Sequence, residues 1–111
     1  MSKINLTPKG LVDAICDFMH LEGNIGSKSR KQEYVFARVL VSYCLLYEGI
    51  SLSMIGKVVL RDHSSISHYK RLIEDDYVFQ KHLRRFKEFM NDEGVFIPSL
   101  ETWIKNERGD N

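Results

Sequence analysis

Cysteine and proline are scarce in this chain, with two of each among 111 residues. Cys16 and Cys44 stand far apart, each inside an apolar stretch, and no CxxC pair occurs. They are expected to be reduced, small core residues of a cytoplasmic protein, not a disulfide framework or a thiolate metal site. No apolar run approaches the roughly 18 residues that a membrane span needs. The richest stretch, YVFARVLVSYCLLY, is interrupted by Arg38 and reads as a buried helix. The phosphate-loop pattern GxxxxGKS or GxxxxGKT is missing, which excludes that nucleotide chemistry at motif level. Net charge is low too: the formal +1 gives no case on its own for a polyanionic partner.

The charges that are present are unevenly placed. Between residues 27 and 71, eight cations face three carboxylates, an excess of five that leaves the flanks net acidic. A local basic field of this kind steers anionic ligands even on a nearly neutral chain. With 43% hydrophobic residues, a chain of 111 residues makes one compact domain with a modest core.

The pattern is all-helical, a compact bundle of five to six helices. Thr7 is the expected N-cap of a first helix, with Pro8 at the first helical position, where its missing N–H costs nothing. Leu11, Ile15, Phe18 and Met19 recur at helical spacing, and Gly23 is the stop signal. Ser29 and Gln32 form a capping-box pattern for a long helix that runs to about Glu48, with Gly49 as its breaker. That helix is apolar on most sides and should be central; Lys31, Arg38 and Ser42 share its polar stripe. Ser51 caps a short helix with Leu52, Ile55 and Val59 inward, and another helix opens at Asp62 and reaches about Asp75. After Asp76 and Tyr77, FQKHLRRFKEFM carries Leu83, Phe86, Phe89 and Met90 to a stop at residues 91–94. Residues 1–94 read as the domain, and residues 95–111 as a tail with a short helix from Ser99, whose Leu100, Trp103 and Ile104 form a sticky face.

The densest polar run is RDHSSISHYKR, residues 61–71. Laid out at about 100° per residue, Ile66, Tyr69 and Ile73 face the packed side, and Ser64, Ser67, His68 and Arg71 face outward. No acidic residue is expected on this outer face before Asp75. His63 and His68 are five residues apart, about 140° around a helix, which does not suit two ligands on one metal ion. A serine near a histidine is commonplace, and no strained strand–turn–helix elbow accompanies it, so an enzyme is not expected. A short helix, a tight turn and a second helix with a polar outer face instead make a helix-turn-helix, whose second helix presents its N-terminal residues to base edges.

These residues resemble a known family. SLSMIGKVVLRDHSSISHYKR is similar to the signature of the C-terminal, origin-binding domain of the bacterial replication initiator DnaA, a fold of the Trp-repressor kind. The family pattern runs S-L-x-x-I-G, a short turn, then R-D-H-S/T-T-V-x-H-A/G. Ser51, Leu52, Ile55, Gly56, Arg61, Asp62, His63, Ser64, Ser65, Ile66 and His68 fit it, with Ser65 for threonine and Ile66 for valine. The likeness extends over about residues 11–90, and its specific part is residues 51–71.

The resemblance implies double-stranded DNA as partner, with base contacts from Asp62, His63, Ser64 and Ser65 and from Ser53 in the turn region. It implies backbone or minor-groove contacts from Arg61, Lys70 and Arg71, with Arg38, Lys28, Arg30 and Lys31 as candidates from the long helix and the basic loop before it. No cofactor, metal or nucleotide is expected, and no ATPase domain lies within these residues, so origin melting is not expected of them. The chain departs from the pattern between Gly56 and Arg61, where Lys57-Val58-Val59-Leu60 replaces a longer stretch that ends in glycine or asparagine. Tyr69 also stands where the family has a small residue. The expected function is sequence-specific duplex binding in replication or transcription control, as a stand-alone, nucleoid-associated module of a phage or mobile element. The alternative is a helical interaction module that docks on a replication protein without binding DNA. In either case the Trp103 tail is a candidate for self-association or partner recruitment.

Overall fold

The structure, a computed structural model, describes residues 4–22, 25 and 31–107. Among these residues it is all-α: α1 (Pro8–Met19), α2 (Gln32–Tyr47), α3 (Leu52–Val59), α4 (His63–Asp75), α5 (Tyr77–Asp92) and α6 (Leu100–Glu107), with no strand. None of the described helices is long and apolar enough to cross a membrane.

The helix starts follow from local chemistry. Thr7 Oγ1 accepts the Gly10 N–H at 3.0 Å to open α1, with Pro8 in its first turn. Ser51 does the same for Met54 at the start of α3, and Asp76 accepts from both Val78 and Phe79 to open α5. Each such bond satisfies one of the amide donors that a helix start leaves without an intrahelical acceptor.

Two helix boundaries differ from the sequence expectation. α1 stops at Met19, because His20 takes the left-handed conformation (φ 54, ψ 44) and the Leu21 N–H closes onto the Cys16 carbonyl at 2.9 Å. That closure draws the half-buried Leu21 onto the core, a hydrophobic gain that sets the stop ahead of Gly23. Gly23 itself lies outside the described residues, as does Ser29 of the expected capping box. The N-cap of α2 is Lys31, which makes no side-chain capping bond, and Gln32 is the first helical residue instead of the third.

The central helix is α2, which touches each of the other five helices and is buried continuously from Phe36 to Tyr47. Ile15, Ile55, Val59, Ile66, Ile73, Phe79, Phe86 and Trp103 pack around it with essentially no exposure. Edge-on contacts of Phe18 with Phe86 (5.3 Å between ring centroids) and tilted contacts with Phe89 (5.4 Å) tie α1 to α5. Cys44 is fully enclosed, and burial pushes its thiol well above the ordinary range, so it stays a protonated core residue.

The end of the described chain carries the expected short helix, α6, and packs on α2. Trp103 is fully buried, its ring stacks on Tyr43 at 5.5 Å and 15°, and its indole N–H donates to the Tyr43 carbonyl at 3.0 Å. The Tyr43 hydroxyl donates to the Pro98 carbonyl at 2.6 Å, and Asn106 reaches the Tyr47 carbonyl at 3.3 Å. Of the face expected to be sticky, Trp103 is thus committed to α2 and offers no surface for self-association, while Leu100 and Ile104 are half-buried.

Candidate nucleic-acid interface

α3 and α4 are joined by only three residues, and the joint is closely specified. The Arg61 N–H donates to the Gly56 carbonyl at 2.9 Å, and Leu60 sits in the left-handed region at φ 57, ψ 49. A Cβ on Gly56 would lie 2.4 Å from the Arg61 carbonyl oxygen, far inside contact distance, so only glycine lets the two backbones approach this closely. Glycine is therefore needed inside α3, where the helix meets the returning chain, and the left-handed turn residue is a leucine.

Asp62 then starts α4. Its Oδ1 accepts the Ser65 N–H at 3.1 Å and the Ser64 hydroxyl. The Ser64 hydroxyl and then the Ser65 amide hold the Asp62 carboxyl below its ordinary range, so the group is anionic throughout the neutral range. The same bonds orient Ser64, whose proton is committed to Asp62 and whose oxygen is left to accept.

Ile66, Tyr69 and Ile73 are buried, while His63, Ser64, Ser67, His68 and Arg71 are exposed, so α4 presents the polar face that its sequence predicts. Ser65 is half-buried and contributes mainly through its capped amide. One correction concerns the acidic limit of this face. Glu74, three residues after Arg71, already shares a hollow with Ser67, Lys70 and Arg71.

The predicted residues fall into two neighbourhoods. Ser53, Gly56, Lys57, Leu60, Arg61, Asp62 and His63 line one shallow hollow of about 360 Å³ between the exposed edge of α3 and the tip of α4. Lys57 was not singled out from the sequence, although its place four residues after Ser53, one turn along the same helix face, is a signal that could have found it. Further along α4, Ser67, Lys70, Arg71 and Glu74 meet Leu52 and Glu107 around a second hollow of about 470 Å³. There Lys70 Nζ is 3.1 Å from Glu107 Oε2, so a carboxylate of α6 already engages one expected phosphate grip.

The four remaining cations part ways. Arg38 is 3% exposed and its Nη1 donates to the Ile25 carbonyl at 2.7 Å. This corrects its assignment as a minor-groove candidate: the guanidinium secures the backbone beside α2 from inside the fold, out of reach of a duplex. Lys31 is exposed at the start of α2 and lines neither hollow. Lys28 and Arg30 lie outside the described residues. Comparison of the chain with protein-family models, with curated proteins and with solved structures returned no match.

Proposed function

We propose that the chain is a sequence-specific duplex-DNA-binding module in which α3 and α4 act as a helix-turn-helix. The carrying observation is the convergence of Ser53, Lys57, Arg61, Asp62 and His63 on one hollow at the exposed tip of α4. In this reading α4 enters the major groove N-terminus first, which a groove about 12 Å wide admits. His63 and the acceptor oxygen of Ser64 meet base edges, Asp62 accepts from an exocyclic amine, and Ser53 reaches in from α3. Lys57, Arg61 and Arg71 hold phosphates, Lys31 adds a further basic contact, and Lys70 joins once released from Glu107. The small hydroxyls along the outer face of α4 favour close approach; a merely solvated face more often carries Glu and Lys. The likeness of residues 51–71 to the DnaA origin-binding signature supports the same reading and suggests replication or transcription control in the cytoplasm, at the nucleoid.

Selection from random duplexes, repeated between roughly 50 and 200 mM salt, tests it. Enrichment of a defined site is expected. His63→Ala and Ser64→Ala should then lower sequence preference, and Arg61→Ala and Lys31→Ala should weaken all sequences about equally. No enrichment at any salt would refute the proposal.

A second reading, a helical interaction module without DNA binding, draws on a groove of about 440 Å³ where α5 meets the start of α6. Exposed Tyr77, with Arg84, Lys87 and Leu100, lines that groove, and exposed Val78 follows Tyr77 in the chain. Duplex selection separates the two, because only the first predicts an enriched sequence.

A further inference from the structure

Leu60 is the anomaly of the α3–α4 joint. Its backbone lies at φ 57, ψ 49, a conformation that glycine and asparagine adopt with less strain than leucine. No burial offsets that strain, for the side chain is 58% exposed. The position is also held firmly: the Arg61 N–H is bonded to the Gly56 carbonyl, and the Gly56 and Arg61 backbones are in close contact. An isobutyl group is thus fixed in solvent, at a backbone setting unfavourable to it. The left-handed turn itself serves the joint, but a leucine side chain in it has no folding return, and strain of that kind concentrates at functional positions.

Its neighbours indicate what it does. Leu60 lines the same hollow as Ser53, Lys57, Arg61, Asp62 and His63, where every other side chain is polar or charged. Ile50, Met54 and Leu60, three of the six exposed large hydrophobic residues among those described, flank or belong to the α3 edge. On the major-groove edges of the base pairs the apolar feature is the 5-methyl group of thymine. We propose that Leu60 is a specificity-determining contact that packs on a thymine methyl as α4 enters the groove; this rests on the duplex reading above. The polar residues of the hollow set register and accept or donate, and Leu60 adds selection for thymine at one position beside them.

The test uses the full chain and the duplex enriched by selection, with each thymine replaced in turn by deoxyuridine, which lacks only the methyl. At one position the wild type should lose about fourfold in affinity, as expected for one buried methyl group. Leu60→Gly should lose at least as much on the thymine duplex and be indifferent to deoxyuridine there. Its melting temperature should match or exceed that of the wild type, since the left-handed strain is relieved. Leu60→Asn, which also tolerates the left-handed region, should repeat the binding result if the glycine variant folds poorly. An enriched site without thymine, or the same deoxyuridine penalty in wild type and both variants, overturns the role of Leu60 and leaves the duplex reading intact. So does a loss in both variants with no deoxyuridine effect at any position, which would place Leu60 against deoxyribose. Failure to enrich any duplex overturns the duplex reading itself.

Discussion

Replacing Gly56 by alanine adds one methyl group at the most crowded point of the α3–α4 joint. Two effects compete. Alanine is the better helix former by about 0.8–1 kcal/mol, and Gly56 lies within α3. Against this, the new Cβ would sit 2.4 Å from the Arg61 carbonyl oxygen. The obstacle is backbone and cannot rotate aside, so the joint itself must open. Overpacking of this kind costs about 1–3 kcal/mol, and with a backbone neighbour the upper half of that range applies. The expected net loss is therefore about 1–2 kcal/mol, a fall in melting temperature on the order of 4–12 °C for a domain of this size. Gly49 is the control: it sits at φ +80 with nothing within 4 Å of its virtual Cβ, so alanine there meets backbone strain and no collision. Thermal and urea denaturation of both variants measures the stabilities. Duplex binding separates them further, because only Gly56→Ala displaces the tip of α4 and should abolish sequence preference. A Gly56→Ala protein as stable as the wild type would refute the close approach and the joint geometry with it.

Trp103→Ala should cost about 3–5 kcal/mol by urea denaturation, since it empties a fully buried ring site and leaves Tyr43 without its stacking partner. Glu107→Gln should tighten duplex binding by up to about fivefold at low salt while lowering stability by less than about 1 kcal/mol; titration by fluorescence anisotropy checks both signs against the release of Lys70. The His82 imidazole is held below its ordinary value of 6.5, first by burial and then by Arg85, so the folded state prefers it neutral. Its contribution to stability is present above the unfolded pKa and is lost as pH falls through the depressed folded value, and His82→Gln should flatten the stability–pH curve in that window. With Lys31, Lys57, Arg61 and Arg71 as phosphate contacts, log affinity against log salt should have a slope of about −3 to −4; a slope near zero for a bound duplex would refute these grips.

What was legible in the sequence was local. The cap bonds from Gly10 to Thr7 and from Ser65 to Asp62 each span three residues, so donor and acceptor stand in one short window of text. The amphipathic face of α4 was legible for the same reason: one period repeated over three turns states which side packs. Partners far apart in the chain were not legible. Arg38 bonds a carbonyl 13 residues away, and Trp103 one 60 residues away. Nothing beside either residue states whether its neighbourhood is solvent or core. A helix that is apolar all round gives no reliable outer side, which is why Arg38 read as part of one polar stripe with Lys31 and Ser42, although of the three only Lys31 is exposed. Within α2 Ser42 is also fully buried, with its hydroxyl returned to the Arg38 carbonyl at 2.8 Å.

These long-range contacts change the electrostatics more than the fold. The sequence count credits the basic segment with an excess of five charges, but a charge acts on a ligand only where a ligand can approach it. Arg38 is sealed behind protein, and Lys70 is met by a carboxylate that lies 37 residues further along the chain. Glu74 adds a negative charge beside Arg71 in the same hollow. Of the two hollows, the one at the α3–α4 joint therefore keeps the positive excess, with Lys57 and Arg61 beside His63 and one carboxylate, Asp62, against the two cations and two carboxylates of the other. A field concentrated there orients an anionic partner toward the tip of α4 more than along its length. For a helix that reads a groove with its first turn, that is the useful distribution, because phosphate attraction and base contact then select the same approach.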